Sequence, residues 1–379
     1  VTEDSGGPAG SGSRQIAEVL AAGSAALGRE LTSPRPLRDG DWTVVLRCQD
    51  AAAASTVIVK AYPRQAEGAS SFAAEAAGLE LAGGSGLTPE FLAASADELV
   101  VVMADLGDAP GLADVLLGAS ADAARTALLD WAGACGQLSA VRAGREAEFA
   151  TLRQRYSGGQ PDESYWSGLQ QRILGVAEKA ALLGVSAPDG LDAELAEVAA
   201  ATGESQYPVF SPGDICPDNN LLTAAGVRFL DFEASGFHSV FLDAAYLRMP
   251  FSTCWCVFAL PAGLGKAAEA RYREQVCGIW PRLAEDAIWR PGVRRAVAAW
   301  TMSSMWWLLR RAMTADSSMN ADAPAAPHTR QLMRYRWQVL AQELEQAGEL
   351  LALARLCRSL LAATGGWHAE PLPAYPAFR

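Results

Sequence analysis

Along the first hundred residues the spacing of apolar positions changes period several times. Between residues 14 and 27, Ile16, Val19, Leu20 and Leu27 recur near helical spacing and predict a helix. The stretch that follows holds Pro34 and Pro36 and reads as turn-rich. Residues 43–48 and 55–62 are Val- and Ile-rich runs that read as strands, joined through 49–54 as a hairpin. Residues 72–81 return to a helical period, with Phe72, Ala76 and Leu79 on the inward face. Residues 99–103 form an unbroken apolar run between Asp97-Glu98 and Gly107, the pattern of a buried strand. Two or three strands, a helix and another strand describe a small sheet lobe.

From 111 to 204 the pattern is helical, broken at 157–161 and 188–190 by Gly/Pro turn clusters. Between 209 and 241 it changes to short strands and turns. After Lys266 long amphipathic patterns return, with a loop expected at 315–329. No internal repeat is visible. The expected organisation is α+β: residues 1–102 as a tail, a helix and a small lobe, and 103–379 as a larger, mainly helical lobe.

Composition narrows this picture. Half of the 379 residues are hydrophobic and a fifth are charged, which suits a globular chain long enough for two lobes and a cleft. Residues 1–14 are Gly/Ser-rich and acidic, without the features of a secretory signal, and read as a disordered tail. No run reaches the length of a membrane span, so a soluble, cytoplasmic protein is expected, with neither membrane nor nucleic acid as partner. The formal charge of −12 divides as −6 over 1–102, −11 over 103–256 and +5 over 257–379. Seven cysteines without C-x-x-C spacing read as reduced, buried thiols. Cys254 and Cys256 form C-x-C, but the neighbouring sequence offers too few further ligands for a tetrahedral metal site.

The densest chemistry lies in Pro208-Val-Phe-Ser-Pro-Gly-Asp214-Ile-Cys-Pro-Asp-Asn219-Asn-Leu-Leu222, followed by Val227-Arg-Phe-Leu-Asp231-Phe-Glu233. Two strand-like pieces each deliver a carboxylate, and Asn219 follows Asp214 by five residues across a loop stiffened by Pro217. Any one of these residues reads equally well as a turn or cap residue. Together they match what a Mg-bound phosphoryl donor requires: a carboxylate for the acceptor hydroxyl and hard oxygen ligands for the metal.

This segment resembles the catalytic loop of the aminoglycoside phosphotransferases, which share the protein-kinase-like fold. Their signature is His-Gly-Asp-x-x-x-x-Asn, followed by a strand ending Ile-Asp-Phe/Trp-Glu. Gly213-Asp214, Asn219 and Leu230-Asp231-Phe232-Glu233 match it, while Pro212 and Cys216 stand where the family commonly has His. The resemblance implies Asp214 as catalytic base and Asn219 and Asp231 as magnesium ligands.

Upstream, such a fold needs a Lys on a small-lobe strand and a Glu on the next helix. Lys60 ends Val57-Ile-Val-Lys60, and it is one of only three Lys against 28 Arg. Glu75 follows fifteen residues later, with Glu80 as the alternative partner. Met103-Ala-Asp105-Leu106-Gly107 resembles the inter-lobe hinge that would hold adenine through its backbone. Residues 38–42 read as a phosphate-covering loop or as an ordinary hairpin, and Asp243 as a helix N-cap. Trp300, Met302, Met305, Trp306 and Trp307 read as helix core.

The implied activity is transfer of the γ-phosphoryl group of ATP, with GTP as the other donor considered, to a hydroxylated small molecule. An aminoglycoside or another antibiotic would suit the twelve acidic against seven basic residues between 121 and 204. The competing expectation is a nucleotide-binding regulatory protein in which Pro212 has cost the loop its activity. A protein kinase fits less well, since the His-Arg-Asp, Asp-Phe-Gly and Ala-Pro-Glu segments are missing.

Overall fold

The structure is a computed structural model in which residues 14–39, 42–159, 167–203, 206–251, 253–320 and 326–379 are described. Five antiparallel strands form the small-lobe sheet: β1 (Leu31–Asp39), β2 (Val44–Asp50), β3 (Ser55–Ala61), β4 (Phe91–Ser95) and β5 (Val100–Ala104), in the order β1-β2-β3-β5-β4. Helix α1 (Ile16–Leu27) covers one face and α2 (Ala66–Ala82) lies on the other.

Alternation along the strands decides what each face receives. Val57, Val59 and Ala61 of β3 join Val44, Leu46 and Cys48 of β2 and Val100 and Val102 of β5 in a core closed by Val19 and Ala22 of α1. The intervening residues, Ile58 and Lys60 of β3 and Val45 and Arg47 of β2, face a cleft on the opposite side. Period-2 geometry thus aims the lysine into the cleft.

Two sequence readings change here. The Pro34–Pro36 stretch lies in strand β1, which tolerates proline because it is an edge strand paired only with β2. Its register shifts between Thr32 and Arg35 and between Pro36 and Arg38, and Ser33 takes a left-handed backbone at φ 51°. Strand β4, Phe-Leu-Ala-Ala-Ser, carries no distinct alternation, and its residues are all half-buried, so its pattern did not announce it. Gly40 and Asp41, the centre of the segment read as a phosphate loop, lie outside the described residues.

The larger lobe begins with α3 (Leu112–Leu116), α4 (Ala121–Val141), α5 (Glu146–Tyr156), α6 (Ser167–Leu174), α7 (Val176–Ala181) and α8 (Leu191–Ala200). Two small antiparallel pairs follow: β6 (Pro208–Ser211) with β9 (Gly236–Ser239), and β7 (Asn220–Thr223) with β8 (Gly226–Phe229). The remainder is α9 (Val240–Arg248), α10 (Leu264–Val276), α11 (Asp286–Ser303), α12 (Met305–Thr314), α13 (Thr329–Ala347) and α14 (Leu351–Ala363). Trp300, Met302 and Met305 are buried as expected of core, while Trp306 and Trp307 are half-buried. Among the described residues no helix is long and apolar enough to cross a membrane.

Candidate active site

Lys60 is the centre of the arrangement. Its Nζ donates to Glu75 Oε2 at 3.0 Å and to Asp231 Oδ1 at 2.8 Å, and lies 3.9 Å from Glu233 Oε2. Strand β3, helix α2 and the segment after β8 therefore meet at one ammonium. Burial would strip its proton, but the carboxylates of Asp231, Glu75 and Glu233 outweigh that and hold its pKa above the ordinary lysine value.

Glu75 is fully buried, and its Oε2 also accepts from Tyr62 Oη at 3.0 Å and from the backbone N–H of Phe232 at 2.8 Å. Burial pushes its carboxyl up to about 7 against the pull of Lys60. Helix α2 approaches this turn closely, because Gly78 leaves room for Ser235: a Cβ at 78 would stand 2.5 Å from Ser235 Oγ, which donates to Ala74 O at 2.8 Å. Glu80, the alternative partner, is bound instead by Arg155 and Tyr156.

Asp214 sits on the loop between β6 and β7. Its Oδ1 accepts from Thr253 Oγ1 at 3.0 Å and lies 3.5 Å from Tyr246 Oη, which is itself 2.7 Å from Thr253 Oγ1. Burial raises its pKa above the ordinary aspartate value, hydrogen bonds from Cys216 and, less, from Thr253 partly offset the rise, and the negative charge of Asp231 adds to it. The loop is stapled from within. Asn219 Nδ2 donates to Asp214 O at 3.1 Å, and Leu230 N donates to Asn219 O at 3.0 Å, so the Asn219 and Asp231 segments run side by side. Asn220 fixes the far end: it donates to Cys216 O and Pro217 O and accepts from Leu112 N.

Asp243 does not cap a helix. The N-cap of α9 is Ser239, and the buried Asp243 carboxylate, one turn in, accepts from Ser211 Oγ at 3.1 Å and lies 2.9 Å from His238 Nε2. Ser211 Oγ in turn accepts from Gly213 N at 3.1 Å. Pro212 cannot brace this turn with a polar side chain, and the neighbouring Ser211–Asp243–His238 set does so. Gly213 has φ 89°, and a Cβ there would stand 2.1 Å from Ala234 O, so this position needs glycine on both counts.

A cleft of about 440 Å³ is lined on one side by Lys60 and Val45 and on the other by Asn219, Leu230 and Asp231, while Asp214 is not among its lining residues. Met103, Asp105 and Leu106 line its back. The Asp105 side chain serves structure: Arg47 Nε lies 2.7 Å away, and Thr56 Oγ1 and Gly107 N donate to it at 2.7 and 2.9 Å. Hard oxygens at Asn219 and Asp231, on adjacent segments facing an apolar-backed cleft, are the donor set that suits a magnesium–nucleotide complex.

Thr253, Tyr246 and Arg47 were not singled out by sequence. Thr253 lies in irregular chain far from the motifs. Tyr246 reads as one more apolar helix position. Arg47 is one of 28 arginines.

No protein-family model matches the sequence, and no curated protein matches it either. Solved structures do. The choline kinase of Cryptosporidium parvum Iowa II aligns with a TM-score of 0.50 at 14% identity, covering 86% of this chain and 93% of that one. A Plasmodium vivax ethanolamine kinase aligns at 0.48 and 13%, covering 83% and 81%. A spectinomycin phosphotransferase aligns at 0.49 and 7%, covering 91% and 99%. The five-stranded antiparallel lobe over a mainly helical body gives this chain the protein-kinase-like fold seen in small-molecule kinases.

Proposed function

We propose that the protein transfers the γ-phosphoryl group of ATP to a hydroxyl of a small molecule. One observation carries the reading: Lys60, aimed into the cleft by strand alternation, is held at once by Glu75 and Asp231, with Asn219 beside Asp231 and Asp214 on the same loop. Lys60 binds donor phosphate oxygens through its ammonium, and Glu75 keeps that ammonium in place. The backbone of Met103 to Leu106 seats the base. Asn219 and Asp231 are the residues that would hold magnesium, which supplies neutralising charge on the phosphates when bound.

Asp214 does the proton work. Its carboxylate orients the acceptor hydroxyl and takes the proton as the new oxygen–phosphorus bond forms and the bond to the departing ADP breaks. Thr253 holds one carboxylate oxygen, which leaves the other to accept.

The acceptor we favour is cationic. Asp218 is exposed four residues after Asp214, and Trp255 Nε1 donates to its Oδ2 at 2.8 Å, so a carboxylate and an indole stand together near the base. That pair suits an ammonium, as in an aminoglycoside or another amino alcohol.

The test is a panel of hydroxylated amines incubated with Mg·ATP and read by mass spectrometry for a gain of about 80 daltons. Asp214→Asn should lower turnover by about 10²- to 10⁴-fold while nucleotide still binds. Equal turnover in the two proteins would remove Asp214 from the role of base.

A further inference from the structure

The C-x-C pair, which no role in phosphoryl transfer uses, does not stand alone in space. Cys216 Sγ, an Asp218 carboxylate oxygen and Cys254 Sγ all lie within 4.8 Å of one another. Cys256 Sγ lies 2.9 Å from Cys254 Sγ but is not one of the atoms that all stand within 4.8 Å of one another. Four side chains with metal-ligand chemistry are thus gathered from two segments, the loop after Asp214 and the irregular chain after α9. Sequence separation of 38 residues between Cys216 and Cys254 hid the group.

We propose that Cys216, Cys254, Cys256 and Asp218 form a tetrahedral binding site for a thiolate-preferring metal ion of the zinc class, distinct from the magnesium position in the cleft. The ligand types select for it: three sulfurs and one carboxylate suit Zn²⁺ and disfavour magnesium, which takes oxygen. The dimensions also agree. An ion central to three atoms no more than 4.8 Å apart sits at most about 2.8 Å from each, so a contraction of about half an ångström gives bonds near 2.3 Å. To become the fourth ligand Cys256 must turn toward Cys216 and Asp218, opening its 2.9 Å separation from Cys254 toward about 3.8 Å, the separation of two sulfurs in such a tetrahedron.

Burial holds Cys216 and Cys254 well above the ordinary cysteine range, and raises Cys256 against its hydrogen bond with Cys254, so the charge that draws off the thiol protons must come from the ion itself. The backbone N–H of Cys256 donates to Cys254 Sγ at 3.4 Å, and Tyr246 Oη lies 3.0 Å from Cys216 Sγ, while the Thr253 hydroxyl proton is already given to Asp214. The buried guanidinium of Arg336 lies close enough to interact electrostatically with Cys216 and Cys254. The three thiols are buried while Asp218 is exposed, so the carboxylate stands on the entry side. Binding displaces the thiol protons to solvent and changes no oxidation state. A bound ion would tie residues 254–256 to the loop that carries Asp214 and would neutralise Asp218, so the ion and a cationic acceptor are alternative occupants of that carboxylate.

The test uses the full chain, fully reduced and metal-free, titrated with Co²⁺ and with no nucleotide present, so its result is independent of the phosphotransferase reading. Thiolate-to-cobalt charge transfer and the visible bands of tetrahedral cobalt should appear, saturate at a single equivalent and vanish on adding Zn²⁺. Cys254→Ser should weaken binding on the order of 100-fold, since even outer-shell partners are worth about 10- to 100-fold. Cys357→Ser, in helix α14, should not change it. A measurement on the unmutated chain guards against misfolded variants: X-ray absorption of the zinc-loaded protein should show sulfur neighbours at about 2.3 Å. Absence of charge-transfer bands in the reduced protein, or a zinc ion with oxygen and nitrogen neighbours alone, would overturn the proposal.

Discussion

At the residue scale, the site is governed by which donors and charges each carboxylate meets. Of the two hydrogen bonds that oppose the rise in pKa of Asp214, one comes from Cys216 and the other from Thr253. Thr253→Val removes that bond and favours the protonated acid, so the acid limb of the kcat/KM profile should move to higher pH than in the unmodified protein. An unmoved or lowered limb would mean that the titrating base is not Asp214.

Glu75 gives a stability prediction of definite sign. Its carboxyl rises from an ordinary 4.5 to about 7 on folding, so the folded state keeps a proton that the unfolded chain releases. The associated stability is complete below 4.5 and is lost as the pH climbs through 7. Melts of wild type and Glu75→Gln in metal-free buffer across this window should diverge, with the wild type losing ground as pH rises.

At the element scale, positions are set by close approach. The turn before Asp214 is fixed by a left-handed glycine pressed against Ala234 O and by a serine that links Gly213 N to Asp243. Gly213→Ala meets both a disfavoured φ, costing about 1–2 kcal/mol, and a backbone clash that forces the loop to move. It should reduce turnover far more than nucleotide affinity, because Lys60 and Glu75 sit on other elements. A drop confined to nucleotide affinity, seen by calorimetric titration, would contradict this account. Strand β1 makes the complementary point: prolines that read as turn signals were admitted into a sheet because the edge position asks for fewer ladder hydrogen bonds.

At the scale of the whole molecule, β3, α2 and the β8 exit meet through Lys60, Glu75 and Phe232 N, so the two lobes are joined at the cleft by charge as well as by packing. A nucleotide bridging both lobes binds only the folded state. At a hundredfold excess over its Kd, Mg·ATP should stabilise the protein by about 2.7 kcal/mol, read as a rise in Tm. Lys60→Ala should abolish most of that rise. A Tm that is indifferent to Mg·ATP would leave the cleft without its proposed ligand.

Sequence displayed three of the five small-lobe strands and both helices that flank them, Lys60 with two candidate glutamates, and, through a family resemblance, Asp214, Asn219 and Asp231. These depend on local periodicity and short spacings, which a chain displays directly. Folding alone settled that Glu75 rather than Glu80 meets Lys60, that Asp243 braces the loop, that Thr253 holds Asp214, and that Cys216 lies beside Cys254. Each of those contacts joins segments whose separation is set by packing, and residue order does not encode the distance between them.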